Sequence, residues 1–476
     1  LLEGEGDSLT IPTYDLEENL IRKTVGDDNT EYIKASEIEA TLDALNVLEI
    51  NSFEDVAVDV TILQKLAVDP EATEKEISTT KTQTLLSSKI VHATISKLML
   101  DADDGTSARQ LYVPDEATES YQNINVTYPN SIEVKQTILA TDTYISEPEL
   151  TELFEAILVL NISTFDDVSS LTLSLINDKK SDLLDSAILH ATISNQIIDL
   201  EASTDVVIPE INESEVSIIS EDNTDLTDII KYLAKQEIKD FLAAIVLIDN
   251  DPTHTINDIT GTVDLALFLP SQTAEADGNQ DILFASSIMK ATVSKQVFAL
   301  EDGLSGILVP EVNQNNDSII IPDGEGDGDA YLVKAELKAL INATDLVTNM
   351  SQISDFDGDI DLSVFFKSTY PSSPETATAN QDTLLSSSIM QATISNKFKD
   401  LDNNQIFIPS VDVLDQTIEY DYIVTGDYFI EKEEVKSLIN VLDIVGFNNI
   451  ESFDGVIDLS VFDDEDNQNA LLASAI

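Results

Sequence analysis

The sequence contains no cysteine and no tryptophan among its 476 residues. Without cysteine there are no disulfide staples, thiolate metal sites or thiol nucleophiles. Cations are also scarce: 24 Lys and Arg stand against 90 Asp and Glu, a formal net charge of −66. Nucleic acid is therefore a poor partner, because phosphate binding needs clustered Lys and Arg. No apolar run approaches the ~20 residues that span a bilayer. Glycine (15) and proline (13) are few, and 42% of residues are apolar. That share is enough to build packed cores, although the charge alone would suggest disorder. Aromatics make up only 6%, so the cores must be aliphatic. Length alone suggests about three domains.

What the chain does have is repetition. One segment recurs as LLSSKIVHATIS, LLDSAILHATIS, FASSIMKATVS and LLSSSIMQATIS, closing at Ser96, Ser194, Ser294 and Ser395, with spacings of 98, 100 and 101 residues. A second signature, aromatic-apolar-x-x-x-Glu, places its glutamates at 37, 149, 237, 336 and 434. A third is an apolar-Pro step at Pro12, Pro114, Pro209, Pro310 and Pro409. Three independent markers share one order and one period. They divide the chain into the end of a preceding repeat (1–12), four repeats (13–114, 115–209, 210–310, 311–409) and an incomplete fifth (410–476). Both chain ends fall inside the Ala-Thr-x-Ser segment, which reads as a window from a longer repetitive protein.

Within a unit, apolar residues follow helical spacing after each signature Glu: Val435, Leu438, Ile439 and Leu442, and likewise Leu150, Leu153, Phe154 and Ile157. Ser146 and Glu149 read as an S-x-x-E capping box, and all five glutamates as local partners of their own helix dipole. The Ala-Thr-x-Ser segment is expected to be a second, buried helix, its small residues admitting another element. A shorter segment such as 452–462, helical or extended, lies between the two. After the second helix comes a strand-like stretch ending in the apolar-Pro step. The expected fold is α+β and mainly helical: an array of about five ~100-residue repeats, each with two principal helices and short strands.

Candidate chemistry is thin. His92 and His190 share one repeat position with Lys290 and Gln391. A position accepting His, Lys and Gln reads as a solvated helix face. The recurring serines lack an adjacent base and read as small packing residues. No catalytic apparatus emerges, so the expectation is not an enzyme. Acidic clusters are the site-like feature. Glu325, Asp327, Asp329 and Glu336 fall at positions 1, 3, 5 and 12 of a stretch that resembles an EF-hand calcium loop. It departs from that pattern at Ala330, where the loop's glycine belongs. Asp355, Asp357, Asp359 and Asp361 form a second dense run. Ca²⁺ is the expected cation at either. The last Asp of the run, matched by Asp458 in the final copy, also suits the cap of a helix or turn.

In organisation the chain resembles the tandem-repeat stalks of very large bacterial surface proteins and adhesins. That resemblance implies a structural, extracellular protein forming a stalk, fibre or filament on a microbial surface. Its partners would be neighbouring repeats or copies of itself, or a surface receptor or ligand. A calcium-dependent ligand-binding array is the alternative. Rigid packing predicts large apolar interfaces between successive units, and beads on linkers predict small polar ones.

Overall fold

The computed structural model describes residues 10–12, 20–25, 30–50, 72–103, 111–114, 125–127, 143–160, 176–222, 230–248, 256–263, 275–303, 306–322, 330–347, 353–360, 374–402, 405–421, 428–447 and 450–476. Among these the protein is mainly helical, with fourteen α-helices and ten short strands. It divides into two compact units: 1–204 with 217–259, and 205–216 with 260–476.

Unit 1 opens with strands β1 (Arg22–Val25) and β2 (Thr30–Ile33) and helices α1 (Ala35–Val47), α2 (Ala72–Ser87) and α3 (Lys89–Asp103). It continues with β3 (Asn125–Thr127), β4 (Thr143–Ile145), α4 (Glu147–Leu160), α5 (Ile176–Asp185) and α6 (Ala187–Ser203). It closes with β5 (Ile219–Asp222), β6 (Ile230–Leu233) and α7 (Lys235–Ile248). Unit 2 holds α8 (Glu275–Ala285), α9 (Ser287–Asp302), β7 (Ile320–Pro322), β8 (Ala330–Leu332), α10 (Lys334–Leu346), α11 (Pro374–Ser386) and α12 (Ser388–Asp402). Strands β9 (Glu419–Asp421) and β10 (Tyr428–Ile430), then α13 (Lys432–Val445) and α14 (Glu465–Ala473), complete it.

Among the described residues the strands pair as five antiparallel two-stranded sheets. The signature aromatic lies on the second strand of each: Tyr32 pairs with Lys23, Tyr144 with Val126, Tyr232 with Ser220, Tyr331 with Ile321 and Phe429 with Tyr420. The signature Glu then falls in the first turn of the following helix. The helical spacing read from the sequence holds. Leu150, Leu153, Phe154 and Ile157 are buried on α4, as are Val435, Leu438, Ile439 and Leu442 on α13.

Two expectations need correction, and one that was open is resolved. The second helix is two helices: α2 and α3 are separated by Ser88, α5 and α6 by Ser186, α8 and α9 by Ser286, and α11 and α12 by Ser387. Ser186 and Ser286 are extended (ψ of 122° and 123°), and their hydroxyls accept from the N–H three residues on. That is N-cap geometry, which the apolar period running through both helices hides. Secondly, the strand-like stretch before each Pro is irregular: 406–409 pairs with no strand. Thirdly, the short intervening segment forms 3₁₀ turns where described, at Ile256–Asp258, Ile353–Asp355, Ile450–Ser452 and Leu459–Phe462. Its counterparts at 52–63 and 164–175 lie outside the described residues. Asp458 does act as a cap. It accepts from the Ser460 N–H at 2.9 Å, which holds its carboxyl below the usual carboxylate range.

After the Pro step a tight turn recurs. The side-chain oxygens of Asn212, Asn313 and Asp412 each accept two backbone N–H groups, from two and four residues on. The fourth turn residue is left-handed each time: Glu215 (φ 58°), Asn316 (φ 60°) and Asp415 (φ 56°). Asn tolerates this region better than Glu does. Glu215→Asn is therefore expected to stabilise unit 2 by about 0.5–1 kcal/mol, read as a higher midpoint in urea unfolding.

Candidate functional site

The recurring residues converge on three sets of contacts: the first lies within a sequence copy, and the second and third mostly join one copy to the next. The signature Glu is the first. Glu37, Glu149, Glu237, Glu336 and Glu434 are all buried. Glu149 does not cap its own helix. Its carboxylate accepts the Ser186 hydroxyl (2.7 Å) and the Ala187 and Ile188 N–H groups (2.9 and 2.8 Å), at the start of α6. Glu336 likewise accepts from Ser387, Ser388 and Ile389 at 2.7–3.0 Å. Glu37 takes the Ser88 hydroxyl and the Ile90 N–H (2.9 and 2.8 Å), and Glu434 takes Ser474 and Ile476 (2.6 and 3.0 Å). For Glu37, Glu149 and Glu336 the capping-box and own-dipole reading thus gives way to a bond with the start of another helix. At Glu37, Glu149 and Glu336 the carboxylate faces the positive end of a helix 37 to 53 residues away and satisfies its first N–H groups, whereas Glu434 meets residues at and beyond the C-terminal end of α14. Burial pushes Glu149 up to about 7, against the pull of its three donors.

The second contact is the Thr of Ala-Thr-x-Ser. Each Thr hydroxyl donates one turn back along its helix and accepts a backbone N–H from the irregular segment before the preceding Pro step. Thr10 N–H binds Thr94 (2.8 Å), Tyr112 N–H binds Thr192 (2.9 Å), Val207 N–H binds Thr292 (3.1 Å) and Leu308 N–H binds Thr393 (3.2 Å). The small residues do admit another element, and it is this segment. Thr192→Val keeps the shape but leaves the Tyr112 N–H without an acceptor. The expected cost is about 1–3 kcal/mol, measured as a lower urea midpoint at unchanged slope.

The third is the position of His92, His190, Lys290 and Gln391. It is not a solvated face: all four residues are buried. The His92 Nε2–H donates to the Ile145 carbonyl on β4 (2.7 Å), and the His190 Nε2–H to the Leu233 carbonyl on β6 (2.8 Å). Gln391 reaches the Ile430 carbonyl on β10 at 3.5 Å, and Lys290 pairs with Glu213. The serines follow suit. Ser96 donates to Ile145 and Ser395 to Ile430, while Ser294 accepts the Leu332 N–H. Burial depresses both imidazoles to about 4, against the pull of the carbonyl each one binds. They are neutral donors, not bases. In unit 1 a further bond, Tyr232 to Tyr112 hydroxyl (3.0 Å), links the same elements, with the rings edge to face at 5.6 Å.

Exposed ion pairs complete the junctions. Lys235 meets Asp185 at 2.7 Å, Lys338 meets Asp281 at 2.6 Å, and Lys436 pairs with Asp382. Exposed pairs contribute little strength, but they place scarce cations at recurring places among a large excess of acids.

The acidic clusters fare differently. Glu325, Asp327, Asp329 and Asp361 lie outside the described residues. Glu336, the twelfth position of the EF-hand-like loop, is the buried cap just described. Asp355, Asp357 and Asp359 are exposed. Asp357 accepts the Asp359 N–H at 3.0 Å, and Asp359 pairs with Lys397. Among the described residues no group of three or more His, Cys, Asp or Glu side chains is placed to hold a metal ion, and no helix is long and apolar enough to cross a membrane. Comparison with protein families, curated proteins and solved structures found no match.

Proposed function

We propose that the chain is a structural spacer: an array of about five ~100-residue repeats within a stalk, fibre or filament on a microbial surface. One observation carries this reading. Residues that recur with the sequence period have buried side chains that join successive copies: Thr192, Thr292 and Thr393 meet backbone N–H groups of the copy before, and His92, His190 and Gln391 meet carbonyls of the copy after, while Glu149 ties together two helices of its own copy. A repeat that conserved its chemistry for catalysis would aim those groups into a cleft. Here they meet backbone N–H and C=O groups of the neighbouring elements. Quasi-one-dimensional proteins gain stability from such nearest-neighbour terms. The charge of −66 adds repulsion that keeps separate chains from clumping and favours an extended array.

The calcium-dependent adhesion alternative draws on the loop ending at Glu336. Both of that carboxylate's oxygens already accept hydrogen bonds in the cap, and a cation would have to compete with those donors. The spacer reading asks for no such competition. Pulling the full chain between its ends by single-molecule force spectroscopy tests it. Copies of about 100 residues should release recurring contour increments of roughly 350 Å, at ~3.5 Å per residue. Extension at negligible force, or increments unrelated to the period, contradicts the proposal.

A further inference from the structure

In unit 2 a cavity of about 590 Å³ opens between the turn after Pro310, the start of α12 and the β9–β10 hairpin. Its walls include Asn313, Gln314, Gln391, Tyr420, Phe429 and Glu431. The volume lies within the range of roughly 300–1,000 Å³ usual for small-molecule sites. The corresponding space one sequence copy earlier, bounded by Glu213, Lys290, Ile321 and Tyr331, holds only about 30 Å³. There the Lys290 side chain is 6% exposed and its ammonium is ion-paired with Glu213.

Aligning the two copies explains the difference. Gln391 stands where Lys290 does, Gln314 where Glu213 does, Tyr420 where Ile321 does and Phe429 where Tyr331 does. The ion pair has been replaced by two neutral amides, and one aliphatic wall by an aromatic one. Glu431 brings a carboxylate where the earlier copy has Val333. The surroundings of that carboxylate are strongly negative. Burial, then Glu433, Asp412 and Glu434, hold Glu431 above the ordinary carboxylate range. Such a field disfavours anions and favours a cation. The amide walls offer carbonyl oxygens as acceptors, and the ring faces of Tyr420 and Phe429 suit both an apolar stem and a positive charge.

We propose that this cavity binds a primary alkylammonium group carried on an apolar stem, the chemistry that the preceding copy supplies internally from Lys290. The shared ligand chemistry has two sources, a free aliphatic diamine or a lysine side chain of another polypeptide. The proposal holds whether or not the chain spans distance.

The test is an NMR titration of the full chain at about 0.15 M salt, where long-range attraction to the acidic surface is screened. The probes are 1,5-diaminopentane, Nα-acetyl-lysine methylamide and, as an uncharged control, 1-pentanol. The expected result is saturable shifts of the Gln391 and Phe429 amides with the amines and none with 1-pentanol. Tighter binding of the diamine identifies the free amine as the source; tighter binding of the lysine derivative identifies a polypeptide. The double variant Gln314→Glu, Gln391→Lys rebuilds the earlier copy's ion pair inside the cavity and is expected to weaken amine binding at least ~10-fold. Glu431→Gln keeps the volume, removes the charge and should weaken it too, so it decides the matter if the double variant does not fold. Equal response to 1-pentanol, unsaturable shifts spread over the surface, or unchanged affinity in Glu431→Gln would overturn the assignment.

Discussion

Replacing Glu149 with alanine is expected to destabilise unit 1 by about 3–5 kcal/mol, far more than a first-turn glutamate usually matters. A solvated carboxylate near its own helix N-terminus contributes only ~0.3–1 kcal/mol. Glu149 is instead fully buried, and its removal strands the Ser186 hydroxyl and two N–H groups of α6 away from water. Unsatisfied buried donors cost ~1–3 kcal/mol each, and the lost side chain leaves a cavity as well. Glu149→Gln retains one carboxamide oxygen as acceptor and should cost less. The decisive control is a double-mutant cycle with Ser186→Ala, measured by urea unfolding. A coupling of about 1–3 kcal/mol is expected between these residues, 37 positions apart in sequence. Additive losses would return Glu149 to the role of a local helix partner.

Acid should weaken the same unit through its two histidines. His92 and His190 lie at about 4 in the folded chain, against an ordinary 6.5. The unfolded chain therefore takes up these protons first as pH falls. The stability the rings contribute is fully present above pH 6.5 and is lost as pH falls toward 4, by about 3 kcal/mol for each ring. Glu149 acts with the opposite sign. Its folded value of about 7 lies above the ordinary 4.5, so its contribution is fully present below pH 4.5 and is lost as pH rises through 7. The variant carrying His92→Gln and His190→Gln borrows the occupant of the last such position, Gln391. Its loss of unfolding free energy between pH 6.5 and 4 should be smaller than that of the parent chain by several kcal/mol. Parallel profiles for the two would mean that the imidazoles are not buried donors.

The helix faces and the repeat period were legible in the sequence because both are periodic signals: leucines and isoleucines at helical spacing, and copies about 100 residues apart. The long-range partners were not. Glu149, Thr192 and His190 each find their partner 37, 80 or 43 residues away, and no local pattern encodes which backbone group a side chain will meet. The position of His92, His190, Lys290 and Gln391 misled for a physical reason. Each of these side chains can carry a hydrogen on nitrogen, and it is that donor which the buried site requires, not solvent. The break at Ser186 was disguised by apolar residues on both sides of it, Leu183 and Leu184 before and Ile188 and Leu189 after, all buried. The Ser itself was the available clue, since a serine followed by three N–H groups without partners is how a helix begins.

Amide hydrogen exchange at Thr10, Tyr112, Val207 and Leu308 tests most directly whether these recurring residues join successive copies within each unit. All four N–H groups sit in irregular segments and rely on a threonine hydroxyl in the next copy. The account predicts protection comparable to that of the helices bearing Thr94, Thr192, Thr292 and Thr393. Exchange at the rate of an unfolded chain, while those helices stay protected, would contradict it.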